Sequence, residues 1–247
     1  MDGHDASTYG DRIADVYDEW YVPRMDPSAA VDLLTELAGQ GSALELGIGT
    51  GRVALPLAAN AVRVVGIDAS QAMIDKLRTK PGGADIDVRI GNFADVDVEG
   101  VFSLIYVPFT TFFALLSQAE QIRCMRNVTM HLEPGGWFVL DAFVPDPGRF
   151  QNNQAVVAQE VASGHVMIDV ARHDPVEQRV DSSHVVITES GVRLYPVALR
   201  YSWPAELDAM AMVAGLVPAF RYGGYDRRPF DASSTHHVSI YRRPPSN

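Results

Sequence analysis

A chain of 247 residues with 47% hydrophobic content can bury a full core, as one α/β domain carrying an insertion. Its formal net charge of −11 argues against nucleic acid as a partner, because that affinity comes from lysines and arginines displacing counterions from phosphate. No apolar run approaches the ~18 residues of a membrane span, Met1 to Asp11 are polar unlike a signal segment, and the lone Cys124 allows neither an internal disulfide nor a cysteine zinc cluster, so the expected setting is cytoplasmic, with no membrane and no metal.

In chain order, Ile13, Val16, Tyr17, Trp20 and Tyr21 recur at three- and four-residue spacing, which predicts an amphipathic helix over Asp11 to Tyr21, a lid ahead of the main fold. Asp26-Pro27 reads as the cap and first position of a second helix, through Val31, Leu33, Leu34 and Leu37 to Gly41. Ser42 to Leu46 is a short apolar strand running into Gly47, Gly49 and Gly51, after which a helix opens at Gly51 or Arg52 with Pro56 near its first turn. Val62 to Ile67 predicts a second strand ending in Asp68, and Ser70 caps a helix carrying Met73, Ile74 and Leu77. Beyond the break at Pro81-Gly82-Gly83, Ile86 to Ile90 and Phe102 to Val107 are the third and fourth strands. Ser117-Gln118-Ala119-Glu120 is a capping box for a helix to about Leu132, and Trp137 to Ala142 is the fifth strand.

This alternation predicts parallel βαβ units in a doubly wound, mostly parallel sheet of about seven strands. The ligand is then expected at the carboxyl ends of the strands, where Gly47, Asp68, Asn92 and Val107 stand. Gln154 to Tyr201 has apolar runs without a helical period, an antiparallel β insertion after strand five. Ser202-Trp203-Pro204 opens a helix stopped by Gly215, and Val217 to Tyr222 with His237 to Tyr241 supply the closing strands. The chain divides into 1–150, core and lid; 151–201, insertion; and 202–247, the closing helix and strands.

Glycine at every second position of Glu45-Leu46-Gly47-Ile48-Gly49-Thr50-Gly51 lets the backbone turn sharply and a ligand lie against it. A nicotinamide fingerprint wants a glycine at position 52, where Arg52 stands, so the spacing favours a different nucleotide. Asp68, ending the second strand, suits two ribose hydroxyls, since one carboxylate accepts both hydrogen bonds.

These residues resemble the class I, Rossmann-like S-adenosylmethionine-dependent methyltransferases, whose first motif has an acid and then alternating glycines, as Glu45, Gly47, Gly49 and Gly51 do. Val65-Gly66-Ile67-Asp68-Ala69-Ser70-Gln71-Ala72-Met73 looks like the family's second motif, Gly91-Asn92-Phe93-Ala94-Asp95 like its third, and His131-Leu132-Glu133-Pro134-Gly135-Gly136 like the turn before strand five. The resemblance implies S-adenosylmethionine as cofactor, with Glu45 and the glycines on its methionine part, Asp68 on the ribose, and Asn92 and Phe93 on the adenine edge and face. Asn92 stands where aspartate is more usual. Tyr17, Tyr21, Ala69, Met73 and Val107 complete the cofactor lining expected from it.

Transfer of a methyl from a sulfonium is an in-line displacement, so alignment and exclusion of water can supply most of the acceleration. An alcohol or phenol acceptor needs deprotonating, whereas a neutral amine loses its proton only after reacting. The fourth motif, Tyr106-Val107-Pro108-Phe109-Thr110-Thr111-Phe112-Phe113, has no histidine, aspartate or lysine, which favours N-methylation over O-methylation. Tyr9-Gly10 through Val16-Tyr17-Asp18 resembles bacterial small-molecule N-methyltransferases of secondary metabolism, although Phe113 and Ala114 stand where the amino-sugar enzymes have a histidine. That likeness implies a small natural-product-like acceptor, an insertion serving as substrate cover or as the contact of a homo-oligomer, and a tyrosine at position 9 facing the substrate.

The candidate catalytic residues are accordingly Tyr9, Tyr17 and Phe113, and the candidate acceptor residues Tyr9, Phe109, Thr110, Phe112 and Phe113; their ring faces suit a sulfonium or a developing ammonium. Core packing is the competing reading, stronger for Trp20 and Phe112 because aromatics on a helix face are usually buried for area. Tyr9, outside the periodic stretch, is the stronger functional candidate. Among the histidines, His4 lies in a polar tail, His131 precedes a turn, and His165, His173 and His184 are expected on the insertion's surface. His236 and His237 open the last strand on opposite faces, so one of them is a candidate general base.

Overall fold

The computed structural model describes residues 6–22 and 26–245; His4 lies outside them. The seven-stranded sheet is built from β1 (Ser42–Leu46), β2 (Arg63–Asp68), β3 (Asp87–Ile90), β4 (Phe102–Val107), β5 (Leu132–Phe143), β10 (Val217–Tyr222) and β11 (His236–Arg242), in the order β10-β11-β5-β4-β1-β2-β3. The first five strands pair in parallel, and β11 runs antiparallel between β5 and β10. Ala43, Leu44 and Leu46 on β1 and Leu104 through Val107 on β4 are buried, as continuous apolar runs must be when helices cover both faces. Chain order reverses between β1 and β4, which opens a crevice at their carboxyl ends.

The helices follow their caps. The Ser70 hydroxyl accepts the Met73 N–H at 3.2 Å to start α4 (Gln71–Arg78), and the Ser117 hydroxyl accepts the Glu120 N–H at 3.2 Å to start α5 (Gln118–His131). α2 (Ser28–Ala38) ends where Gly39 turns to positive φ, two residues short of the expected Gly41. α3 (Ala54–Ala59) has Pro56 in its first turn, where a missing amide costs least. α1 spans Thr8–Tyr21, three residues longer at its start than expected, so Tyr9 belongs to its first turn rather than to a preceding loop. β5 takes up the Glu133–Gly136 stretch expected as a turn, because Gly135 N–H and Gly136 O pair with the Arg243 backbone at 3.0 and 2.9 Å.

β6 (Gln154–Ala162), β7 (His165–Asp174), β8 (Arg179–Thr188) and β9 (Gly191–Arg200) form a separate antiparallel sheet in sequence order. Its inner face buries Met167, Val186 and Tyr195 against Ile13 and Ala14 of α1, and Trp20 meets Tyr195 edge-on at 4.8 Å between ring centres. Buried Arg200 ties β9 to α5 and to α6 (Pro204–Val213), donating to Gln121 Oε1 at 2.7 Å, Ser202 Oγ at 2.8 Å and Glu206 Oε1 at 2.7 Å. The insertion and α1 thus roof the crevice. No helix among the described residues is long and apolar enough to cross a membrane.

Candidate active site

Gly47, Gly49 and Gly51 all have positive φ, and the amides of Gly47 and Ile48 both donate to Ile67 O, at 2.8 and 3.0 Å, folding the loop over the end of β2. A Cβ on Gly47 would come 2.5 Å from the Thr111 methyl, so the approach of the two loops admits only glycine there. Asp68 accepts the Gly49 N–H at 2.7 Å on one carboxylate oxygen and the Ser70 N–H at 2.8 Å on the other. Burial raises its carboxyl above the usual range, against the pull of those amides. Glu45, only 2% exposed, accepts the Tyr106 hydroxyl at 2.7 Å, and burial pushes its carboxyl up to about 8.

These groups line a cavity of about 490 Å³. Ala69, Met73, Asn92 and Phe93 form one end, and Asn92 Oδ1 accepts the Ala94 N–H at 2.9 Å. Tyr9, Tyr17 and Tyr21 of α1 close the top, with the Tyr9 and Tyr21 hydroxyls 3.3 Å apart and the Tyr17 and Tyr21 rings 4.8 Å apart. Burial pushes the Tyr17 phenol up to about 12 and raises that of Tyr9 well above its ordinary value, so both stay protonated. Pro108 to Thr111, Leu115 and Leu199 line the opposite side. Among the described lining residues Arg52 is the one cation, its guanidinium carbon 3.6 Å from the Phe109 ring centre and an Nη 3.4 Å from the Tyr17 hydroxyl.

A family described as a methyltransferase domain matches residues 43–136. The CcbJ methyltransferase from Streptomyces caelestis is 43% identical across 98% of this chain and 100% of its own, and the two structures agree with a TM-score of 0.92. The chain belongs to the S-adenosylmethionine-dependent methyltransferases. The cypemycin N-terminal methyltransferase of a Streptomyces species is 28% identical over 245 residues, 97% of this chain and 99% of that one. SAM-bound CalS10, an amino pentose methyltransferase from Micromonospora echinaspora, shares the fold, with a TM-score of 0.68 at 24% identity over 92% of this chain and 96% of its own.

In this methyltransferase the crevice brings together Tyr9, Tyr17, Tyr21, Glu45, Gly47, Gly49, Asp68, Ala69, Met73, Asn92, Phe93, Phe109 and Thr110. Four expected residues lie elsewhere. Val107, Phe112 and Phe113 are wholly buried in the core, where Phe112 meets Phe138 and Phe113 meets Phe143 edge-on, at 6.5 and 5.2 Å. Phe113 therefore lines no part of the cavity, and the two phenylalanines pack behind its wall. Gly51 serves packing, since a Cβ on it would lie 2.3 Å from Leu77 Cδ1 of α4. Neither His236 nor His237 reaches the lining: His236 is exposed, while buried His237 pairs with Ser239 Oγ at 2.9 Å and is pushed down to about 4 by burial. His173, expected at the surface, is buried, stacked on Phe150 at 4.5 Å and 2.9 Å from the Tyr201 hydroxyl.

Arg52 was visible in the sequence only as the glycine a nicotinamide site lacks. Asp141, which with Tyr225 holds the Phe109 turn, gives a fainter signal as an acid interrupting the apolar run of β5, and Tyr225 gives none.

Proposed function

We propose that this methyltransferase methylates an amine of a small natural-product-like molecule. The observation that carries the reading is the acceptor side of the cavity, where Tyr9, Pro108, Phe109, Thr110, Leu115 and Leu199 place no histidine or lysine. Glu120, at the edge of this side, is engaged in capping α5 with Ser117. A neutral amine needs no base before it attacks, whereas an alcohol does. The name of the cypemycin relative, an N-terminal methyltransferase, points to the same chemistry.

The residues present fit the cofactor. Positive-φ glycines leave the main chain bare, Asp68 offers further carboxylate lone pairs to the ribose hydroxyls, and Phe93 presents a ring at the far end. Glu45 suits the methionine ammonium and Arg52 its carboxylate. S-adenosylmethionine brings an electrophilic methyl on a sulfonium sulfur. The tyrosine rings of α1 favour positive charge on sulfur or nitrogen, and α1 with β9 keeps water out. Tyr9 orients the amine through its protonated hydroxyl, and the proton released after attack passes to water.

Labelled S-adenosylmethionine offered to matched amines and alcohols tests the reading. Label should enter the amines, with turnover rising as the acceptor amine deprotonates and no second group near the ~6.5 of an ordinary histidine. Labelling of alcohols alone, or loss of about a hundredfold in rate on His236→Ala, would establish O-methylation instead.

The insertion supports a further part of the same reading, a homodimer. Val156, Val161, Ile187, Val192 and Leu194, 71%, 75%, 40%, 61% and 57% exposed, share its outer face with Val166, Ile168, Val170 and Val185 by strand register. Four strands of about ten residues present roughly 650 Å². Two such faces together bury about 1,300 Å², within the range of stable interfaces. A second copy of the chain is the proposed occupant, because the exposed part of the face is built of valine, isoleucine and leucine, which two copies can bury against each other.

A further inference from the structure

Phe109 and Thr110, consecutive residues after β4, have positive φ of 57° and 66°, in the left-handed region that a bulky or β-branched side chain disfavours. Such strain persists only where surrounding contacts over-determine it. Here the contacts converge from one residue of the adjacent strand. Asp141 Oδ1 accepts the Phe109 N–H at 2.6 Å, and Asp141 main-chain O accepts the Thr110 N–H at 3.1 Å. The same Oδ1 accepts the Tyr225 hydroxyl at 2.7 Å. Tyr225 comes from the β10–β11 connection, which the Gly223 N–H closes onto Arg228 O at 2.8 Å and an ion pair between Arg227 and Glu36 fastens to α2. The turn fixed in this way carries the Phe109 ring, and on the ring's face rests the Arg52 guanidinium.

We propose that Asp141 and Tyr225 are positioning residues for methyl transfer: by clasping the Phe109–Thr110 turn in its left-handed form they seat Arg52 for the carboxylate end of the cofactor. The inference rests on the reading of Arg52 given above. Neither clasp residue touches the reacting atoms, so its effect must pass through the turn and the ring.

Calorimetric titration with two nucleosides isolates that path. S-adenosylhomocysteine carries the amino-acid end, and 5′-methylthioadenosine shares its adenosine and sulfur but lacks that end. Arg52→Met should weaken S-adenosylhomocysteine by about tenfold or more and leave 5′-methylthioadenosine within about twofold, as expected for loss of a charge-assisted pair. Tyr225→Phe and Asp141→Ala should show the same selective loss, smaller for the first. Asp141→Asn, which keeps an oxygen to accept both hydrogen bonds, should recover most of the affinity. Adding Thr110→Gly to Tyr225→Phe should also recover part of it, because glycine holds positive φ without a clasp. Selective loss in Arg52→Met with none in Tyr225→Phe or Asp141→Ala overturns the clasp and leaves Arg52 its role. A harmless Arg52→Met overturns that role and the seating with it. Equal losses for both nucleosides reduce the clasp to a stability element, which also overturns the proposal. If Asp141→Ala does not fold, Tyr225→Phe, which removes one hydroxyl, decides.

Discussion

Glu45 ends β1 with its carboxyl inside the protein, and the cost of that burial has a readable consequence. Its pKa, about 8, stands above the ordinary 4.5, so between those values the unfolded chain loses a proton that the folded chain keeps. Stability of the cofactor-free protein therefore falls as pH rises through this window, by up to about 1.4 kcal/mol per pH unit. Asp141, raised by burial to about 6 from 3.8, adds a fall of the same sign at lower pH. An ammonium bound beside Glu45 reverses the balance and favours its ionised form. S-adenosylmethionine binding at pH 7 should consequently release a proton, read as a dependence of the calorimetric heat on the ionisation enthalpy of the buffer, and Glu45→Gln should abolish that dependence. Heats independent of buffer in the wild-type protein would place the ammonium elsewhere. Glu45, Asp68 and the glycines were legible in the sequence because each marks a backbone or charge requirement at a strand end. Arg52 and Tyr225 were not, since their meaning arises from contacts with Phe109 and Asp141 that no local spacing encodes.

At the scale of elements, α1 is latched to α4 by a ladder of acids one helical turn apart. Asp11 accepts the Ser70 hydroxyl at 2.6 Å, Asp15 pairs with Lys76 at 3.2 Å, and Asp18 with Lys80 at 2.7 Å and the Thr50 hydroxyl at 2.6 Å. Gly10 lets the helix approach, for a Cβ there would stand 2.5 Å from Ser70 Cβ. Because α1 also carries Tyr9, Tyr17 and Tyr21 over the cavity, opening of this contact is the expected route of release for the cofactor product. Gly10→Val and Lys80→Ala should each speed S-adenosylhomocysteine dissociation severalfold in stopped-flow measurements, with high salt narrowing the difference for Lys80→Ala. Unchanged rates in both would mean that the ligand leaves by another route. The apolar period of α1 is plain from Ile13 onward, yet its first turn carries no such period because Tyr9 and Gly10 serve the cavity and α4 instead of repeating the buried stripe. Phe113 departs in the opposite direction: a motif's position suggests the acceptor, but packing against Phe143 claims its ring, while Phe112 packs on Phe138 in keeping with the stronger of its two readings.

For the whole molecule, the open question is what covers the outer face of the insertion. Apolar runs without a helical period made the antiparallel sheet legible in the sequence, but they could not say which face the main domain would take. α1 takes the face of Met167, Val186 and Tyr195, leaving the valine-rich side to solvent in a single chain. Exposed apolar sheet faces of several hundred Å² are uncommon on monomers and promote association. Two insertions stacked about 10 Å apart would bury the valines and Leu194 in a sandwich core related by a two-fold axis. Sedimentation should then show a dimer at micromolar concentration. Leu194→Lys should convert it to a monomer, because apposing two lysines across the axis adds repulsion to lost apolar area. Ser190→Lys, in the turn between β8 and β9 beyond that face, should leave the dimer intact as a control for charge alone. The monomeric variant should keep its affinity for S-adenosylhomocysteine, since neither Leu194 nor the valines of that face line the cavity. A wild-type protein that sediments as a monomer across that range, or a Leu194→Lys variant that remains dimeric, would rule out this face as the contact.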